Sequence, residues 1–213
     1  MAEKDQPSSI YISLMNEIKI RLKCLEDSLD GKYGKNIQIT RENCFLQLRF
    51  VCELIALGCL VAHENTVGAK RLRKRWQANE IISELNKLHP EFYPQPIDLR
   101  RDENKNFVAQ ILENDHLKKE EIGILYGRCG DVLHRGKLKN LLKNKNYTNN
   151  RDIFRDIFEW HQKIVKLMNV HYISHSDGST GWVVKMTNDP TTGSPAILIT
   201  KREYFVDSQS LTR

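Results

Sequence analysis

Residues 126–136 read YGRCGDVLHRG and set Arg128, Asp131 and His134 at three-residue intervals. A histidine exchanges protons near neutral pH, so it can take a proton from a reacting hydroxyl or give one to a leaving oxygen. An arginine beside it presents a planar, two-pronged donor to a phosphate on which charge is growing. Asp131 completes the set as a group that orients either partner. The plainer account stands beside this one: Arg128 and Asp131 form an exposed i,i+3 ion pair, and His134 is a helix C-terminal residue that favours the macrodipole. The same stretch carries Gly123, Gly127 and Gly130, each costing a helix roughly 1 kcal/mol relative to alanine.

The element that must position these residues is a helix from 118 to 134. Ile122, Leu125, Cys129, Val132 and Leu133 fall on one stripe at helical spacing. Gly123, Gly127, Asp131 and His134 then point the other way, with Arg128 at the flank. Glycines on that outer face remove side-chain bulk, so a second helix or a sugar-phosphate backbone can come close.

The spacing RCGDVLH, an arginine and a histidine separated by five residues late in a helical chain, resembles the signature of the HEPN superfamily (higher eukaryotes and prokaryotes nucleotide-binding domains). Cys129 stands where that family usually has a polar residue. The resemblance covers residues 8 to 170 in general layout and Arg128 and His134 in specific terms. It implies an RNA-binding protein or a metal-independent endoribonuclease of a prokaryotic defence or toxin system, with a protein antitoxin or other protein as partner. It also implies a homodimer. One chain offers one such pair, whereas cleavage through the 2′-hydroxyl needs one group to take a proton and another to give one. Gly123, Ile124 and Gly127 are the expected dimer contact. Two other readings are a non-catalytic helical module binding a protein or an anionic partner, and a DNA-binding regulator, against which stands the lack of a helix-turn-helix pattern.

Arg49 and Glu53 lie four apart on the most apolar helical segment. There they must pair with each other or project into the cleft that holds Arg128 and His134. KRLRKRW, residues 70–76, is the densest basic run. Lys70, Arg71, Arg73, Lys74 and Arg75 with Trp76 make either a solvated helix face or a nucleic-acid contact in which the indole stacks on a base. The lysines of the 137–145 connector extend that field. His171 and His175 have no carboxylate at matching spacing, and Cys52, Cys59 and His63 read as core, so neither a metal nor another cofactor is assigned. No phosphate-binding glycine loop or nucleophile elbow is present.

The remaining segments give the frame. A first helix starts at Pro7 to Ser9 and stops before Asp30-Gly31; the second starts with Thr40 as cap; a third spans Ala69 to Leu88 and ends at HPEFYPQP. A short helix is expected around Phe107 to Leu112, and a last one, capped by Asn150, from Arg151 to Val170. GWVVKMT and PAILITKREYF read as β-type runs. The predicted fold is therefore mainly α, a bundle of about five helices over residues 1–170 with a small C-terminal β-hairpin appendage over residues 171–213. The net charge of +6 tilts toward anionic partners, and five cysteines without a CxxC pair suit reduced, buried thiols. The polar N-terminus has no signal-peptide core, and Gln47, Arg49 and Glu53 interrupt the apolar run, so a cytoplasmic protein away from the membrane is expected.

Overall fold

The computed structural model describes residues 7–101, 103, 107–134, 150–186 and 193–201. In chain order these form α1 (Pro7–Leu29), α2 (Ile37–Ala62), a 3-10 helix (Ala69–Lys74), α3 (Ala78–Leu88), β1 (Gln95–Arg101), β2 (Phe107–Ile111), α4 (Lys119–Leu133), α5 (Asn150–Met168), β3 (Val170–Ser174), β4 (Thr180–Lys185) and β5 (Ala196–Lys201). The expected mainly α class with a small C-terminal hairpin is corrected. Helix makes up 59% of the described residues, but a five-stranded antiparallel sheet curls into a half-barrel, so the fold is mixed α and β.

Helix α2 is the centre. Val51, Cys52, Ile55, Ala56 and Cys59 are fully enclosed or nearly so, and α1, α3, α4 and α5 all pack against it. Its start is set by Asn36, whose side chain accepts from the Ile39 backbone N–H, rather than by Thr40. Gly58 is where α1 crosses most closely. A Cβ there would stand 3.2 Å from the Tyr11 ring and 3.3 Å from Met15 Cε, so any side chain at this position would require Tyr11 and Met15 to give by a few tenths of an ångström. By length and hydropathy α2 is a candidate membrane span, yet 67% of the relevant window is buried inside the protein. Most of its apolar surface is thus turned to the rest of the protein.

The sheet order is β2-β1-β3-β4-β5. One face meets the helices: Ile173, Trp182, Val184 and Met186 join the main core. The other carries a smaller cluster of Ile97, Ala109, Tyr172 and Val183, the alternation expected of residues on opposite faces of a strand. Gly181 in β4 makes room for the ring of Tyr172, since a Cβ there would lie 2.5 Å from both Tyr172 Cε2 and the Ile173 carbonyl oxygen.

Two elements depart from the sequence reading. The expected third helix is a 3-10 turn and a separate α3, interrupted by an extended stretch at 75–77. The expected short helix near Phe107 is β2, paired in register with β1 (Ile97 with Ile111, Leu99 with Ala109). Five apolar-rich residues do not distinguish strand from helix by period alone, and Pro96 disguises β1, although proline is tolerated at the start of a strand. The basic connector and the chain beyond Lys201 lie outside the described residues.

Candidate functional site

Helix α4 is held by its buried stripe, Ile122, Leu125, Tyr126 and Cys129. The Lys118 backbone N–H donates to Glu121 Oε2 at 2.9 Å, and Lys163 of α5 donates to Glu121 Oε1 at 2.7 Å. Glu120 and Glu121 suit the positive end of the helix dipole. With that face fixed, Gly123, Ile124, Gly127, Arg128, Asp131 and His134 are exposed. Among the described residues, nothing outside α4 comes within 4 Å of the place a Gly127 Cβ would take, and only Asn79 Cβ, at 4.0 Å, reaches the place a Gly123 Cβ would take. The glycine face is open, with Ile124 63% exposed on its margin.

The expected triad is not gathered at one point. Arg128 leans onto α5, where its Nε donates to Asp156, so the i,i+3 pairing with Asp131 gives way to a link between helices. The Trp160 indole N–H donates to the other oxygen of Asp156 at 3.1 Å, which holds that carboxylate in place. His134 is the C-cap of α4, its backbone N–H bonded to the Gly130 carbonyl. Six residues of helix place it about 120° around the axis from Arg128.

A second arginine, on α2, reaches the C-terminal end of α4. Arg49 and Glu53 on α2, each about one-fifth exposed, pair at 3.3 Å, and Tyr126 of α4 joins them. Arg49 Nη2 donates to the Tyr126 hydroxyl at 2.9 Å, that hydroxyl donates to Glu53 Oε1 at 3.0 Å, and the guanidinium lies 4.6 Å over the tyrosine ring. The Tyr126 hydroxyl's pKa is pushed up to about 12 by burial and by its bond to Glu53, so it stays a proton donor. The other end of the fork, Arg49 Nη1, points past Gly130. A Cβ on Gly130 would stand 3.9 Å from Arg49 Nη1 and 3.9 Å from His134 Cδ2. The chain matches no family model, no curated protein and no solved structure.

At the end of α4 a clamped arginine and a histidine each come close to Gly130. That arrangement can hold an anion against the arginine while the imidazole moves a proton nearby. Burial pushes the Cys129 thiol up to about 12 and Cys52 well above its usual value, so neither acts as a nucleophile here. Among the described residues no group of three His, Cys, Asp or Glu side chains is set to hold a metal ion.

Sequence reasoning named Arg49, Glu53 and His134 but missed Tyr126, which reads as an ordinary member of the apolar stripe. Its signal is that a buried tyrosine hydroxyl needs a partner, and Arg49 and Glu53 were buried groups in need of one. The basic run lies on the 3-10 turn and the strand-like exit from it. Arg71 faces Glu84 at 3.4 Å, Arg73 faces Glu64 at 3.3 Å and Arg75 faces Glu80 at 2.6 Å. Lys70 and Lys74 are exposed, as is Trp76.

Proposed function

We propose that the chain binds RNA and cleaves it without a metal ion, at the open end of α4, as a homodimer. The observation that carries the reading is that Arg49 Nη1 and His134 Cδ2 each lie 3.9 Å from where a Gly130 Cβ would stand. The resemblance of Arg128 and His134 to the HEPN signature supports it from the sequence side. In this mechanism Arg49 takes the phosphate and His134 accepts the 2′-hydroxyl proton as the 2′-oxygen attacks phosphorus. The P–O5′ bond breaks, and the departing 5′-oxygen takes a proton from the same residue of a second copy. The products are a 2′,3′-cyclic phosphate and a 5′-hydroxyl. The setting that fits is a cytoplasmic defence or toxin system with a protein antitoxin. Incubating purified protein with total RNA in EDTA tests the reading: cyclic-phosphate ends are expected, and intact RNA under all conditions refutes cleavage.

A non-catalytic interaction module is favoured by one observation, the pairing of Arg71, Arg73 and Arg75 with carboxylates, which weakens the field that would draw RNA. The contribution of this segment is separable. Replacing Lys70 and Lys74 with glutamine is expected to reduce the slope of log affinity against log salt by about 1.4, at roughly 0.7 per single-strand phosphate contact. The three paired arginines should contribute less. An unchanged slope in the lysine double variant removes this segment from the interface.

The two-fold arrangement predicts its own variant. Gly127 is exposed and no described residue outside α4 comes within 4 Å of where its Cβ would stand, so Gly127→Leu is expected to fold as the wild type does while its side chain blocks a second helix from approaching. Light scattering at matched concentrations checks this. A dimeric wild type and a monomeric variant are expected, and a wild type that stays monomeric at micromolar concentration rules out the composite site.

A further inference from the structure

Away from α4, three histidines meet where the C-terminal ends of α2 and α3 reach the turn between β3 and β4. His63 is the C-cap of α2 and His89 the C-cap of α3, and their rings lie 5.0 Å apart. His175 follows β3 and sets its ring edge-on to Trp182 at 4.8 Å. Each has a buried ring nitrogen without a hydrogen-bond partner: His63 Nε2, His89 Nδ1 and His175 Nε2. Such orphans are rare inside folded proteins. The other nitrogens of two of them are engaged, His63 Nδ1 with the Cys59 carbonyl at 2.9 Å and His175 Nδ1 with Thr180 Oγ1 at 3.1 Å. Because a carbonyl only accepts, the His63 proton sits on Nδ1 and its bare Nε2 faces the interior.

We propose that His63, His89 and His175 form an acid-opened latch that ties the ends of α2 and α3 to the sheet and releases them when His63 and His175 take up protons. His63 is wholly enclosed, so a proton on Nε2 would place a charge among apolar neighbours with no acceptor at hand. The charge would also repel His89 and His175, the groups that act on it electrostatically. Around the cluster, the Phe92 ring stands nearly at right angles to that of His63, with centroids 6.5 Å apart. Asp177, in the β3–β4 turn, acts on His175, and Glu64, next to His63, is turned to Arg73.

The direction follows from burial, which lowers the His63 pKa to about 4 and that of His175 less far. A folded pKa below the unfolded one means that the open state binds more protons. The closed state is therefore fully favoured above about pH 6.5 and loses ground as pH falls toward 4, by up to about tenfold in the opening constant per pH unit and proton.

Trp182 is the reporter, since its indole packs on His175. In the full chain with Trp76 and Trp160 changed to phenylalanine, Trp182 emission is expected to titrate between pH 6.5 and 4 while far-UV helicity holds. The change should be lost or weakened in His63→Gln and in His175→Gln, the second serving where the first does not fold. A flat Trp182 signal, a titration that persists in both variants, or one that coincides with loss of all helical signal overturns the latch.

Discussion

A His134→Ala variant is expected to keep its fold and lose RNA cleavage by about two to four orders of magnitude, the usual worth of a positioned proton-transfer group. His134 is an exposed C-cap whose backbone, not its side chain, closes the helix through Gly130, so the loss would be one of chemistry. The arginines make the comparison sharper. Arg49→Gln should cost cleavage about a hundredfold or more, because it removes the guanidinium proposed to take the phosphate. Arg128→Gln should cost far less, because Arg128 is committed to Asp156 on another side of the helix. Equal losses in both variants would restore the sequence signature over the folded geometry. Single-turnover cleavage of a short labelled RNA measures all three.

Glu53→Ala is expected to destabilise the protein by about 2 kcal/mol, read as a fall in the urea midpoint without a change in slope. The carboxylate balances a guanidinium that is only about one-fifth exposed, and it accepts the Tyr126 hydroxyl. Removing it leaves a cation and a hydroxyl with each other alone. The cost stays below the 3 to 5 kcal/mol of a fully buried pair because water reaches the site and Arg49 keeps its bond to Tyr126. A loss under about 0.5 kcal/mol, the range of ordinary surface changes, would mean that the pair does not organise the end of α4. Glu53→Gln should retain more of the stability, since its amide oxygen can still accept from Tyr126.

The helices were legible where a long apolar period met a clear stop: α1 ends at Leu29 before Asp30-Gly31, and α4 and α5 follow their stripes. The half-barrel was not. Its two halves are separated in sequence by α4 and α5, so no local pattern announces that Gln95 will pair with Tyr172. β1, reading QPIDLRR, shows only Ile97 and Leu99 as strand-like positions. The site was legible in part. Arg49 and Glu53 stood out as charges on an apolar helix, and His134 as chemistry on a glycine face. That Arg49 reaches Gly130 depends on how α2 crosses α4, and that crossing is set by packing spread over many side chains.

The joint between β1 and β3 also bears on the order in which the chain is assembled. Only Gln95 with Tyr172 and Pro96 with His171 register across it, whereas β1 with β2, and β3 with β4 and β5, are neighbours along the chain that can close early. Bridging the joint must bear the loop entropy of everything between, so it is a late event. Until it forms, Tyr11 on α1 has neither His171 to hold its hydroxyl nor Trp182 against its ring. A chain emerging from the ribosome therefore exposes the paired α1 and α2 helices with one apolar side uncovered. Its last strands then act as the closing piece that shields the first helix.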